Sequence, residues 1–224
     1  MNQSIKLIAF DLDGTLVESA PDLADAVDAT LEELGQPKAG EARVRGWIGN
    51  GVGMLMKRAM TGQMWPDADP PGFDPALERF MAHYAEGVCR RSYLYPGVRE
   101  GLTQLAEKGY RLTCITNKHS RFTLPLLEQL GIAGFFGWVG CGDQFEKHKP
   151  HPESLLYAAR HFGVDSNACL MVGDSLNDVE AARAAGFAVV CVPYGYRGDV
   201  AAENLGADAV IPSLAALPEW LQNR

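Results

Sequence analysis

Apolar residues in this chain cluster into short runs, separated by longer segments with helical spacing. The runs are continuous rather than alternating in polarity, which is typical of strands buried on both faces of a parallel sheet. They occupy residues 5–10, 111–116, 137–141, 168–173, 188–192 and 207–211. Helical spacing occurs between them at residues 97–108, 120–130, 152–163 and 176–185. This alternation predicts a doubly wound parallel sheet of the α/β class.

One long segment, residues 17–94, interrupts the alternation. We expect no strand within it, because its apolar positions follow helical spacing at residues 21–35, 53–60 and 75–92. The last two are separated by a loop rich in proline and glycine. We therefore predict an α-helical cap domain at residues 17–94, inserted into a discontinuous α/β core of residues 1–16 and 95–224. The hinges of the cap are expected near residues 16–20 and 92–96.

Composition narrows the functional class. The 224 residues are 47% hydrophobic, which is typical of a soluble globular protein. The formal net charge of -8 argues against a nucleic-acid partner, because binding to a phosphate backbone requires a basic face. The apolar segment at the start of the sequence is too short for a signal peptide. No uncharged apolar run approaches the roughly 18 residues that a membrane span needs. Five cysteines without a C-x-x-C pair indicate reduced thiols. We expect a cytoplasmic protein, a monomer or a homodimer, with no membrane partner.

Polar residues follow several of the predicted strands. In an open α/β sheet, ligands bind outside the carboxyl ends of the strands, so these residues are candidates for chemistry. In chain order they are Asp11, Asp13, Thr116, Asn117, Lys149, Asp174 and Asp178. Lys118 directly follows Asn117, and the sequence gives it no specific role. Lys147 is expected to be an ordinary charged residue of a solvent-exposed loop.

Four aspartates at one sheet edge repel one another. At 4 Å and an effective dielectric constant near 20, each like-charged pair costs about 4 kcal/mol. A hard divalent cation relieves this repulsion, and an all-oxygen site favours Mg²⁺. The alternative is that the aspartates cap helix N-termini, which is plausible for Asp178 alone. Asp11 and Asp13 do not both fit that alternative, because two caps cannot serve one helix start.

Four motifs in order resemble the phosphatases of the haloacid dehalogenase superfamily. They are "DLDGT" at residues 11–15, Thr116, Lys149 with Pro150, and "GDSLND" at residues 173–178. The resemblance extends over the whole chain, including a helical cap inserted after the first motif. It implies a Mg²⁺-dependent phosphatase.

The resemblance also assigns roles to the aspartates. Asp11 matches the nucleophile, which forms an aspartyl-phosphate, and Asp13 matches the general acid and base. The Asp13 backbone carbonyl and the carboxylates of Asp11 and Asp174 match the metal ligands, with Asp178 supporting them directly or through water. Dehalogenases of the superfamily lack the second aspartate, so Asp13 favours phosphoester chemistry.

Three further residues match groups that bind the phosphate. By the same resemblance, Thr116 offers its hydroxyl and Asn117 its backbone N–H to phosphate oxygens. Lys149 matches the ammonium that neutralises the phosphate and the nucleophile.

Residues 43–60 resemble the cap segment of phosphoglycolate phosphatases. Gly49, Asn50 and Gly51 precede a helix whose free N–H groups suit the carboxylate of a small substrate, and Arg45 lies nearby. The alternative is a tight loop between two helices with no ligand. A dinucleotide site is rejected, because the third glycine and the preceding strand are both missing.

We therefore expect a phosphatase that hydrolyses 2-phosphoglycolate, a small phosphorylated metabolite. The alternatives are the same chemistry on a sugar phosphate and a phosphomutase that returns its phosphoryl group. A non-enzymatic module on this fold does not need Asp11, Asp13, Lys149 and Asp174 together, which argues against it.

Overall fold

A six-stranded parallel sheet forms the centre of the molecule. The computed structural model describes residues 4–198 and 200–223, and its strands lie in the order β5-β4-β1-β6-β7-β8. Their bounds are β1 Leu7–Phe10, β4 Arg111–Ile115, β5 Trp138–Gly140, β6 Cys169–Gly173, β7 Ala188–Cys191 and β8 Ala209–Val210. All neighbouring pairs in this sheet run parallel. The predicted doubly wound α/β fold is therefore confirmed.

Helices cover both faces of this sheet. They are α5 Val98–Glu107, α6 Ser120–Gln129, α7 Glu153–Phe162, α8 Leu176–Ala185 and α9 Leu217–Gln222. Successive β1 residues belong to two separate apolar cores, Ile8 and Phe10 to one, Leu7 and Ala9 to the other. Each β1 residue is therefore buried whichever face it points to, which explains the continuous apolar run.

The segment between β1 and α5 contains two strands that the sequence analysis did not predict. Val17–Glu18 forms β2 and Tyr93–Leu94 forms β3, and they pair antiparallel. The expectation of no strand at residues 17–94 was therefore wrong. Two residues are too few to show a hydrophobic period, and this ribbon depends on pairing between distant parts of the chain.

Four helices lie between β2 and β3. They are α1 Ala20–Glu33, α2 Glu41–Arg45, α3 Gly51–Thr61 and α4 Phe73–Glu86. The predicted helix at residues 75–92 is shorter at its carboxyl end, because α4 stops at Glu86 before Gly87. The short helix α2 was not predicted. The four-helix insertion follows the expected cap, and its domain limits stay a prediction.

The described cysteines carry free thiols. Cys114, Cys141, Cys169 and Cys191 are buried in the core, where they pack as small apolar side chains. None of the helices in residues 4–198 and 200–223 combines the length and the hydrophobicity that crossing a membrane requires.

Candidate active site

A cleft opens at the carboxyl ends of the central strands, between the sheet and the helices that follow β2. Strand β1 lies between β4 and β6, so the residues after these three strands converge at one place. The cleft is lined by Asp11, Asp13, Leu23, Ile48, Gly49, Gly51, Val52, Leu55, Thr116, Asn117, Lys118, Lys149, Ser175, Asn177 and Asp178.

The backbone fixes Asp11 and packs tightly around Asp174. The Asp11 N–H donates to the carbonyl of Val172, 2.9 Å away, which continues the β1–β6 pairing past the strand end. Gly14 adopts a φ of 88°, and a Cβ at this position would lie 2.5 Å from Asp174 Oδ2. A Cβ at Gly195 would overlap the same carboxylate. Two glycines therefore form the wall around Asp174, because any side chain there would displace it.

Three carboxylates gather beside this wall. Oxygens of Asp11, Asp174 and Asp178 all lie within 4.8 Å of one another. Burial raises the pKa of Asp11 to about 7, an effect opposed by the Lys149 ammonium and increased by the charge of Asp178. Burial also raises the pKa of Asp174 well above its usual range, with the charges of Asp178 and Asp11 adding to it. Negative charge in this cluster is therefore under-compensated.

The donor set fits a hard divalent cation. All three side chains offer carboxylate oxygens, and Asp174 is hydrogen-bonded by neutral groups, Thr15 Oγ1 at 2.8 Å and the Tyr196 N–H at 2.5 Å. Oxygen ligands with excess negative charge are what Mg²⁺ prefers.

Lys149 is the cation that the protein itself supplies to the cluster. Its Nζ lies 2.8 Å from Asp11 Oδ1 and 2.7 Å from Asp178 Oδ1, and it also donates to the carbonyl of Ile115. Burial opposes ionisation of this ammonium, but Asp11 and Asp178 outweigh burial and raise its pKa. Lys149 is therefore charged and held beside the nucleophile candidate.

Asp178 stabilises a helix N-terminus, which is the alternative role considered for it from sequence. It is the third residue of a capping box with Ser175, and its Oδ2 accepts from the Ser175 N–H and Oγ and from the Asp174 N–H. Its Oδ1 accepts from Lys149. The carboxylate is fully buried and already accepts four hydrogen bonds. It therefore orients Lys149 and the loop of Asp174 from behind the cleft.

Thr116 and Asn117 follow β4 and reach the cleft. Thr116 Oγ1 accepts the Lys118 N–H at 3.1 Å, which leaves its own hydroxyl proton for another acceptor. The Asn117 amide donates to the carbonyl of Lys149 and accepts the Lys149 N–H, both at 2.9 Å. Asn117 thereby fixes the loop that carries Lys149.

Asp13 has a cationic partner that was not recognised from sequence. Lys118 Nζ lies 3.0 and 3.1 Å from the two Asp13 carboxylate oxygens, and Ser19 Oγ donates to Oδ1 at 2.6 Å. The ammonium also lies 4.7 Å from the centre of the Tyr84 ring, on helix α4. Lys118 directly follows Asn117 at the end of β4, so the strand-end rule was sufficient to select it.

The cap loop residues proposed from sequence divide into two groups. Gly49 and Gly51 line the cleft. The Gly49 carbonyl accepts from the side-chain amides of Asn117 at 3.0 Å and Asn177 at 3.2 Å. Asn50 is not among the residues that line the cleft, and its side-chain oxygen accepts a hydrogen bond from the buried Arg58.

Arg45 also lies outside the lining and belongs to a second buried group, the Glu18 cluster of Glu18, Arg45, Tyr95 and Tyr196. Glu18 accepts from Arg45 at 2.7 Å, Tyr95 at 2.8 Å and Tyr196 at 2.6 Å. Burial raises the pKa of Glu18, but these hydrogen bonds outweigh burial and lower it below 4.5. The Tyr196 hydroxyl also accepts the N–H groups at the start of α1.

The chain as a whole matches a known family. The model for haloacid dehalogenase-like hydrolases matches residues 5–186. A protein named phosphoglycolate phosphatase from Nitrosococcus oceani is 47% identical over 216 residues, which cover 96% of each chain.

Solved structures agree with this family match. A crystal structure described as a predicted phosphoglycolate phosphatase from Haemophilus somnus 129PT superposes with a TM-score of 0.90. It is 36% identical and covers 97% of this chain and 98% of its own. A mutant of CbbY from Rhodobacter sphaeroides, in complex with xylulose-(1,5)bisphosphate, gives a TM-score of 0.75. It is 27% identical and covers 95% of this chain and 96% of its own. The chain therefore belongs to the haloacid dehalogenase-like hydrolases and is a phosphatase.

Proposed function

We propose that this enzyme hydrolyses 2-phosphoglycolate to glycolate and phosphate, with Mg²⁺, through an aspartyl-phosphate on Asp11. One observation carries the proposal. Asp11, at the end of a central strand, lies within 4.8 Å of two further carboxylates and 2.8 Å from the Lys149 ammonium. A nucleophile, a cation site and a fixed positive charge are thus together at the mouth of one cleft.

Two half-reactions follow from this arrangement. First, an Asp11 carboxylate oxygen attacks phosphorus, the bond to the ester oxygen breaks, and Asp13 gives its proton to the departing oxygen, which releases glycolate. In the second, water attacks the same phosphorus and the Asp11–phosphorus bond breaks. The water proton goes to Asp13, which restores both aspartates. Asp13 suits this role because it lines the cleft two residues after the nucleophile.

The metal ligands proposed are the carboxylates of Asp11 and Asp174 and the backbone carbonyl of Asp13. These ligands would hold Mg²⁺, which would supply positive charge to the phosphoryl oxygens and to the acidic cluster. Asp178 supports these ligands from behind, because its own oxygens already accept four hydrogen bonds.

Three groups of the chain are proposed to hold the phosphoryl group. Lys149 neutralises charge shared between Asp11 and phosphate, and losing such a group costs about 3–4 kcal/mol of barrier. Thr116 donates its free hydroxyl proton, and Asn117 donates its backbone N–H. We do not propose Arg45 or Asn50 as substrate-binding residues. The Arg45 side chain bonds to Glu18, and the Asn50 side chain accepts a hydrogen bond from Arg58.

The size and lining of the cleft favour a small substrate. Its cap side presents Leu23, Ile48, Val52 and Leu55, which offer no hydrogen bonds to sugar hydroxyls. Several relatives between 42% and 47% identical carry the name phosphoglycolate phosphatase. We propose that residues 17–94 form a cap that closes over this substrate about hinges at residues 16–20 and 92–96. The free thiols support a reducing cytoplasmic setting, for a monomer or a homodimer.

A sugar phosphate is the second candidate, and the likeness to CbbY with its bound bisphosphate favours it. The experiment that separates the two is a kcat/KM panel with 2-phosphoglycolate, small sugar phosphates and nucleoside monophosphates. We expect 2-phosphoglycolate to be the best substrate. A sugar phosphate with the higher kcat/KM would replace the proposed substrate and leave the chemistry intact. Transfer of phosphate to a second sugar rather than to water would identify a mutase.

A further inference from the structure

Lys118 has no part in the phosphoryl chemistry described above, although its ammonium reaches the centre of the site. Lys118 is 4% exposed. Among the described residues that line the cleft, it and Lys149 are the cationic side chains. Lys149 is engaged with Asp11 and Asp178. Lys118 is therefore a second buried ammonium in the cleft, and binding of the phosphoryl group does not explain why it is there.

The position of Lys118 is fixed from three sides. Its backbone N–H is bonded to Thr116, and its Nζ contacts both carboxylate oxygens of Asp13 at 3.0 and 3.1 Å. The Tyr84 ring covers the ammonium from helix α4 of the cap. An aromatic face stabilises a cation and shields it from water, which strengthens its attraction for an anion in the cleft.

The proposed substrate requires an anion-binding group in this place. In 2-phosphoglycolate, one carbon separates the carboxylate from the ester oxygen that leaves. Asp13 must reach that oxygen, so the group that binds the carboxylate must be an immediate neighbour of Asp13. Lys118 meets this condition. Arg45 does not, because it bonds to Glu18 and Glu41 outside the cleft lining.

We propose that Lys118 binds the carboxylate of the substrate and selects a phosphate ester with a carboxylate on the adjacent carbon. The inference rests on the proposed function and names the specificity determinant of that site. Because Tyr84 belongs to the cap, the carboxylate-binding site around the Lys118 ammonium is complete only when the cap packs against the core. The alternative role for Lys118 is to orient Asp13 only, and it predicts an equal effect on every substrate.

The test compares two substrates that differ in the carboxylate, 2-phosphoglycolate and 2-hydroxyethyl phosphate. In Lys118→Met, kcat/KM should fall about 10- to 100-fold more for 2-phosphoglycolate than for 2-hydroxyethyl phosphate, because one charge-assisted interaction is lost. Lys118→Arg should recover part of that difference. Lys147→Met is the matched control, because this exposed loop lysine lies outside the cleft lining, and it should leave the ratio unchanged.

The outcomes separate this inference from the proposed function. Equal losses on both substrates in Lys118→Met would overturn the role of Lys118 in binding the carboxylate. No preference of the unmodified enzyme for 2-phosphoglycolate would instead overturn the proposed substrate. If Lys118→Met fails to fold, the side-chain nitrogen signal of Lys118 can be followed by NMR in the unmodified protein, with Lys118→Arg for its assignment. Glycolate should shift that signal and ethylene glycol should not, and no shift with glycolate would contradict the inference.

Discussion

Two groups of buried carboxylates in this molecule have opposite electrostatic states. At the sheet edge, burial and mutual repulsion raise the pKa values of Asp11 and Asp174. In the Glu18 cluster, whose carboxylate lies seven residues after Asp11 in the sequence, donors lower the pKa of a carboxylate that is also buried. The two groups differ in the number of hydrogen-bond donors for each negative charge. The single carboxylate of Glu18 accepts hydrogen bonds from one guanidinium and two phenol hydroxyls.

This contrast distinguishes a structural charge from a functional one. Glu18 has its partners within the protein, and its side chain links β2 to Tyr95, Tyr196 and the N–H of Ala20 at the start of α1. Asp11, Asp174 and Asp178 lie together, and the one ammonium beside them pairs with Asp11 and Asp178, which is why we propose a further cation at this cluster. Burial alone therefore does not mark a candidate active-site carboxylate, whereas burial combined with few donors and a raised pKa does.

The largest expected effect is from Asp11→Asn. The amide of asparagine cannot form the acyl phosphate that the aspartate carboxylate forms, so phosphate release should fall to background. Folding should not suffer, because a carboxylate with a raised pKa destabilises the folded state as pH rises through the range from 3.8 to about 7. Phosphate release and the thermal midpoint by circular dichroism measure the two effects. Turnover near the normal rate would disprove the nucleophile assignment.

Removal of metal should silence the enzyme reversibly. Chelation should abolish phosphate release, and added Mg²⁺ should restore it and raise Tm by several degrees through preferential binding to the folded state. Asp174→Asn should lose most of this Tm shift, while Glu18→Gln should retain it as the control. A metal-independent activity would show that the acidic cluster has another role.

Asp13→Ala should have a smaller effect, because the nucleophile and the cation site remain. We expect kcat to fall by about 10²–10⁴, the usual share of general acid–base catalysis. Rapid-quench detection of the phosphorylated enzyme should show that both its formation and its hydrolysis are slower. If only one half-reaction slows, Asp13 serves that half alone.

The smallest effect is expected from Glu18→Gln, which addresses the other side of the comparison. The free energy of unfolding should fall by about 1–3 kcal/mol at neutral pH, because charge-assisted hydrogen bonds are lost. Since the folded-state pKa is lowered, this contribution is complete above 4.5 and disappears as pH falls through the folded-state value. Urea unfolding of both proteins from pH 7 to pH 3 should show the difference closing.

Glu33→Gln provides the control for that measurement. Glu33 also pairs with cations, Arg79 and His83, but its side chain is 45% exposed. Solvent screens such pairs, so the change should remain within about 0–1 kcal/mol. Equal losses from the two substitutions would remove the distinction between the Glu18 cluster and an ordinary surface ion pair.

The sheet and most of the candidate site were predictable because their signals are local. Continuous apolar runs marked the strands, and the strand-end rule selected Asp11, Thr116 and Asp174. The β2–β3 ribbon was missed because each strand has two residues, and its partners are far apart in sequence. Tyr196 was missed because its contact with Glu18 spans 178 residues. Arg45 was misplaced because sequence proximity to the glycine loop does not reveal that Glu18 is its partner.

The wall around Asp174 has a consequence for how this enzyme tolerates change. Gly14 and Gly195 contribute no functional group, yet one methyl at either position would collide with the carboxylate. In a complete mutational scan, these two chemically silent positions should therefore be as intolerant as the aspartate they enclose. A variant in which the Asp174 carboxylate takes a different position would need compensating changes in the backbone, so single substitutions offer few routes to one.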